Sequence, residues 1–184
     1  MPRISRIKKA GEFLRSHRDN DGRICIDVNL SPSFEIYDPL SIGYDNELNS
    51  DIYDYIEEKA NLIPSNIPLK IRFHGRSFSE EEQENIRRIM KRHYNVAVLD
   101  KAWDKAANTK KLIVMAAFGL IMLTIYFYLS VIADNQIMVE LFSVIGSFSL
   151  WEAAGSFLLE RPQLKREYEE ILQFREQTIE FYEN

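Results

Sequence analysis

Glu152 is the first residue with chemistry to explain, because it is an ionisable side chain inside a stretch that otherwise reads as lipid-embedded. An acid in that setting is by default a functional candidate that faces protein or water instead of lipid. It shares a helical face with Ser149, Ala153 and Ser156, and small residues on such a face admit a second helix at close range. The chemistry on offer is a hydrogen bond across a helix contact, or a polar lining in an oligomer. The plainer reading is a protonated carboxyl, or one that reaches toward Arg161 and the headgroups about two turns away. Neither span holds a Lys or Arg, so the expected state of Glu152 is protonated or intersubunit, not ion-paired within its own chain.

A second pattern is His74-Gly75-Arg76-Ser77, at the end of a predicted strand and just ahead of a predicted helix. In α/β folds anions often bind there, since glycine permits close approach and free helix amides face the ligand. Arg76 is the cation that would hold a phosphate, although Glu80, Glu81 and Glu82 oppose one. His17 and His93 have no nearby ligand set and read as surface residues. The acids Asp45, Glu47, Asp51, Asp54, Glu57 and Glu58 lack the glycine turn and alternating ligands of a calcium loop and read as a solvated helix face. No Ser-His-Asp elbow, Walker loop, zinc spacing or dinucleotide fingerprint occurs. The expectation is a non-enzymatic protein with no metal and no cofactor. The net charge of −5, without an aromatic and basic surface, argues against nucleic acid as a partner. The single Cys25 offers neither a disulfide within the chain nor a cysteine metal site, which suits a reducing compartment.

The elements that position these residues divide by charge. Residues 1–111 carry 19 Lys+Arg against 18 Asp+Glu, residues 112–159 carry none against 3, and residues 160–184 carry 4 against 7. A middle third without positive charge is what a membrane segment looks like. Leu112 to Ala133 are 22 residues without a charge, about 33 Å as a helix against a hydrocarbon core of about 30 Å. Tyr126 and Tyr128 toward one end, with Trp103 beyond the other, fit an aromatic belt. The second span, Ile137 to Leu159, contains Glu140 and Glu152. Its Leu, Ile, Val and Phe contribute roughly −3 to −7 kcal/mol against about +2.5 to +3.5 for a central acid, so insertion wins narrowly. Asp134-Asn135-Gln136 is a tight polar link. Lys101, Lys105, Lys110 and Lys111 precede the pair and Arg161, Lys165 and Arg166 follow it. The positive-inside rule therefore puts both termini in the cytoplasm and the turn outside. No signal peptide and no lipidation signal is read at either end.

Residues 1–99 read as a folded α/β unit. It begins with a basic amphipathic segment, whose stripe is Ile4, Ile7, Gly11 and Leu14 and whose charges suit anionic headgroups or water. Ile24, Ile26 and Val28 alternate as a strand, with Phe34 to Tyr37 as its hairpin partner. Leu48, Ile52, Ile56 and Ala60 have helical spacing, and Leu69 to Phe73 is a further strand. Ser79-Glu80-Glu81-Glu82 is a capping box for a helix that reaches Tyr94. Asn95 to Leu99 reads as a last strand, and a helix from Asp100 runs into the first span. After Pro162 an amphipathic helix carries Leu164, Tyr168, Ile171, Leu172, Ile179 and Tyr182.

The expected fold class is thus a small α/β or α+β cytosolic sandwich domain (1–99), a transmembrane hairpin (100–160, spans 112–133 and 137–159) and a C-terminal amphipathic cytosolic helix (161–184). The expected function is that of an integral membrane protein whose α/β module binds or senses a cytosolic protein partner and whose hairpin anchors and homo-oligomerises it in the lipid bilayer. The alternative is a membrane effector or channel-forming subunit with Glu152 at a helix contact or pore.

Overall fold

The computed structural model describes residues 14–41, 43, 46–132 and 136–183. The strands are β1 (Ile24–Asn29), β2 (Leu69–His74) and β3 (Thr178–Phe181). The helices are α1 (Ser50–Ala60), α2 (Glu80–Ile132), α3 (Gln136–Gly155) and α4 (Arg161–Arg175), with a π-helical turn, Ser156–Glu160, between α3 and α4. The chain is of mixed α and β class and divides into two compact units. The first holds the described residues up to Val98 together with those from Glu169 onward, and the second is Leu99–Tyr168.

In the first unit the strands form one parallel sheet in the order β1-β2-β3. Alternation sends Ile24, Ile26 and Val28 to one face, in register with Leu69, Ile71 and Phe73, because successive side chains of a strand point to opposite sides. That face, joined by Ile52 and Ile56 of α1, by Ile86, Ile89, Met90 and Tyr94 of α2 and by Phe174 of α4, is the core. Helix α1 starts where Asn49 Oδ1 accepts from the Asp51 amide at 3.0 Å, which satisfies one of the free donors of the first turn. Ser79 Oγ likewise accepts from the Glu82 amide at 3.2 Å. The reciprocal half of that capping box is replaced, since the Glu82 carboxylate pairs with Arg76.

Several expectations are corrected. Asn95 to Leu99 is helical, within the 53 residues of α2. No Gly or Pro interrupts the segment, and β-branched Val96 and Val98 disfavour a helix too weakly to stop one that both flanks propagate. Phe34 to Tyr37 is not a strand, and only an isolated antiparallel bridge joins Tyr37 to Leu48; Pro32 and the turn at Phe34, whose amide donates to the Ser31 carbonyl, leave no ladder. The last helix does not reach the C-terminus. It ends at Arg175, and Ile179 lies in β3, opposite Ile71 of β2. Short apolar runs such as Thr178–Phe181 satisfy helical and strand spacing equally, and a non-local partner decided between them. The basic segment before Leu14 and Asp45 lie outside the described residues.

Gly75 is needed where β2 ends. Its φ is +101°, and a Cβ there would collide with the Leu30 carbonyl and the Asn29 side chain. Gly22 also has positive φ, +80°, but its nearest neighbour to a Cβ is Arg18 Nη2 at 3.8 Å. Chemical denaturation should therefore show Gly75→Ala losing about 3 kcal/mol and Gly22→Ala only about 1 kcal/mol. Equal losses would mean that backbone conformation alone, and not the close crossing at Leu30, fixes Gly75.

Candidate functional site

The second unit is an antiparallel pair of helices whose inner faces follow a heptad. On α2 the buried or half-buried positions include Lys101, Lys105, Asn108, Leu112, Met115, Gly119, Met122, Tyr126 and Leu129, at alternating steps of four and three. On the returning strand of the pair they include Val139, Phe142, Gly146, Ser149, Ala153, Ser156 and Glu160, after which the seam resumes at Leu164 and Glu167. Alternation of three and four is the seam of a left-handed helix pair. The step from Glu160 to Leu164 is one residue longer than the heptad allows, and the π-helical turn Ser156–Glu160 absorbs the extra residue. There the Arg161 amide donates to the Ser156 carbonyl, five residues back. That wider turn also relieves Pro162, whose ring would press on the carbonyl four residues earlier in a regular helix.

Two glycines let the helices close. A Cβ on Gly119 would come within 2.8 Å of Leu150 Cγ and 2.9 Å of the Gly146 carbonyl, and one on Gly146 within 2.9 Å of Leu123 Cγ. Ser149, Ala153 and Ser156 continue the same buried stripe, and Ser149 spends its hydroxyl on the Ile145 carbonyl at 2.9 Å. The small face read in the sequence as a docking surface for another helix is therefore occupied within the chain.

Glu152 is not on that buried stripe; its side chain is 51% exposed. Neither span holds a cation, but Lys111 just outside the first one supplies it, with Nζ 2.7 Å from Glu152 Oε1. Lys111 stands one residue before the first apolar span and its long stem lets the ammonium meet the acid at that level. The same ammonium is 3.2 Å from Glu160 Oε1, while Asn108 Nδ2 donates to Glu160 Oε2 at 2.5 Å and Ser156 Oγ donates to it at 3.1 Å. The Lys111 hydrogen bond first, then Ser156, holds the Glu160 carboxyl below its ordinary range, and the hydrogen bonds that Lys111 donates to Glu152 and Glu160 push its own value up. Farther along the pair Lys101 meets Glu167 at 2.7 Å, and Gln163 donates to the same carboxylate at 2.9 Å.

The first unit has its own polar constellation, on the sheet face opposite the core. Arg72 grips Asp27 through two hydrogen bonds of 2.6 and 2.7 Å, and His74 Nε2 is 3.0 Å from the same carboxylate. Burial raises the Asp27 carboxyl, but Arg72 and then His74 outweigh it and hold it below the usual range. Lys70, buried, bridges Asp19 at 2.5 Å and Glu180 at 3.0 Å; the Tyr182 hydroxyl donates to Glu180 at 2.7 Å, and its ring stacks on His74 at 5.1 Å. Of the proposed anion site, then, His74 is held by Asp27, Arg76 by Glu82, and Gly75 serves the backbone crossing at Leu30. These three residues are used structurally and do not converge on an open anion cradle. His93, read as a surface residue, is half-buried and stacks on Tyr53 at 4.0 Å, and burial lowers its basicity. Among the described residues no group of His, Cys, Asp or Glu is placed to hold a metal ion.

Sequence reasoning missed Lys111, Asn108 and Glu160 as the partners around Glu152, although the spacing of the two flanks about the turn would have brought them level. Lys70 and Arg72 alternate along β2, but their acids come from Asp19, Asp27 and Glu180, two of them in other strands. No protein-family model, no curated protein and no solved structure matches the chain.

The Glu160 shift has a testable sign. A carboxyl held below its ordinary value of 4.5 stabilises the fold above that pH and stops doing so as the pH falls through the lowered value. Both tryptophans, Trp103 and Trp151, lie in the second unit, so their fluorescence reports on this helix pair alone. Thermal unfolding followed by tryptophan fluorescence should give a Tm that is level at neutral pH and falls below about pH 4.5, with a smaller fall in Glu160→Gln. An identical acid response in the variant would show that Glu160 is not held by Lys111.

Proposed function

We propose that the chain is an integral membrane protein of non-enzymatic character, in which the helix pair crosses the bilayer as a hairpin and anchors an α/β unit that binds a partner in the cytosol. The observation that carries the membrane part is exposure. Helices α2 and α3 are long and apolar enough to cross a membrane, yet only 6% and 17% of their most apolar stretches are buried. A core helix of a soluble protein would be mostly covered, whereas Val131, Ile137, Phe148 and Trp151 are 73 to 84% exposed. Apolar surface of that extent calls for lipid or protein to remove it from water.

The topology of the hairpin has two independent supports. Cations flank both spans on the side away from the turn. In addition β2, before the hairpin, pairs with β3, after it, so the segments that enter and leave the membrane share one compartment and the number of crossings is even. Pairing of Glu152 with Lys111 favours an anchor over a pore lined by a bare carboxylate. The half-exposed polar sheet face, with Asp27, Arg72, His74 and Glu180 between 27 and 42% exposed, supports the partner-binding role, since parallel sheets are ordinarily covered on both faces.

Substituted cysteines test the topology in sealed right-side-out vesicles. An impermeant maleimide should label Gln136→Cys directly and Gln163→Cys only after permeabilisation, with buried Cys25 giving no background. Equal access to both positions, or loss of the protein to an alkaline carbonate wash, would remove the hairpin reading.

A further inference from the structure

The second unit contains a groove of about 200 Å³ lined by Lys105, Asn108, Thr109, Arg161, Leu164 and Lys165. It is smaller than the roughly 300 to 1,000 Å³ of a pocket that encloses a whole ligand. A single headgroup-sized anion fits that space. Three of the six lining residues are cations and none is an acid. Glu160 is engaged by Lys111 and Asn108, and Glu167 by Lys101 and Gln163. Two of the cations also sit over aromatic rings, Lys105 over Tyr168 at 4.0 Å and Arg161 over Phe157 at 5.6 Å, which fixes their stems and leaves their N–H groups able to donate.

The groove owes its form to the π-helical turn. The extra residue in Ser156–Glu160 brings Leu164 onto the seam, half-buried, and leaves Arg161 and Lys165 exposed on its flank. Such turns recur at functional sites in helices. Thr109 lies three residues before the first apolar span and Arg161 two after the second, so on the hairpin reading the groove opens at the level of the cytosolic headgroups. Basic pockets between membrane helices on that side hold anionic lipid headgroups.

We propose that this groove binds the phosphate of an anionic phospholipid of the cytosolic leaflet, with Lys105, Arg161 and Lys165 as the cationic wall and Leu164 beside the upper acyl chain. The inference rests on the hairpin reading, and the experiment separates the two. Full-length protein is reconstituted in vesicles of phosphatidylcholine with a minor share of phosphatidylglycerol, released in mild detergent, and its retained lipid measured by native mass spectrometry. The expected result is one retained phosphatidylglycerol, not displaced by excess inorganic phosphate. Arg161→Gln with Lys165→Gln should cut retention about tenfold, the scale of one lost charge-assisted hydrogen bond, while Lys110→Gln with Arg166→Gln, an equal loss of charge outside the groove, leaves it unchanged. Lys105→Gln should also cut retention, which covers failure of the double variant to fold. Equal loss in both double variants, equal retention of phosphatidylcholine, or displacement by inorganic phosphate would overturn the site. A wild-type chain that fails to enter the vesicles would instead overturn the hairpin.

Discussion

The parallel pairing of β2 with β3 is the contact on which the rest depends. Lys70 to Phe73 meet Thr178 to Phe181, so the whole helix pair lies inside one crossover connection of a small sheet. A parallel pair always needs a crossover, and here the crossover leaves the domain, turns and returns. Closing a flexible loop of that length would cost little more than closing one half as long, since the entropy grows only with the logarithm of length. The loop is also not flexible: an antiparallel helix pair delivers its two ends side by side, and Lys101 with Glu167 already joins them. The sheet is completed only when residues from both sides of the hairpin are present, and both sets belong to the first unit.

The seam of the helix pair explains why the return is precise. Lipid tails are as apolar as leucine, so association within a bilayer comes from close packing and hydrogen bonds instead of the hydrophobic effect. Gly119 and Gly146 supply the close approach, and Lys111, Glu152, Glu160 and Asn108 supply the polar end. Exposed ion pairs contribute only about 0 to 1 kcal/mol. On the hairpin reading, the value of the Lys111 contact lies more in what it avoids, an unpartnered carboxylate near hydrocarbon. The π-helical turn then reconciles a heptad seam with Pro162 and resets which residues face inward beyond it.

Much of this was legible from residue types alone where the environment imposes a hard rule. A stretch from Leu112 to Leu159 without a single Lys or Arg reads as long apolar helix, and the structure has two helices there long and apolar enough to cross a membrane. The alternation at Ile24, Ile26 and Val28 and the helical spacing of Ile52, Ile56 and Ala60 were equally plain. What failed was non-local. Thr178–Phe181 becomes a strand only because Ile71 and Phe73 wait beside it, and Asn95 to Leu99 stays helical because both neighbours are helices. Glu152 reads as unpaired within the spans because they hold no cation, and Lys111 stands one residue before the first. At the candidate anion site, His74 meets Asp27 of a neighbouring strand, which only the sheet brings close, while Arg76 meets Glu82, one of the acids that the local pattern already sets against an anion.

The central claim is that the chain leaves a sheet, crosses the membrane twice and rejoins the same sheet. Arg72 and Glu180 are register partners on adjacent strands, at a spacing a disulfide can bridge. Arg72→Cys with Glu180→Cys, oxidised in native membranes and then cut by protease at the turn between α2 and α3, should leave two fragments of one chain held together until a reductant is added. If the cut fragments separate without reductant, or the cysteines join only different chains, the strand after the hairpin does not return to the sheet before it.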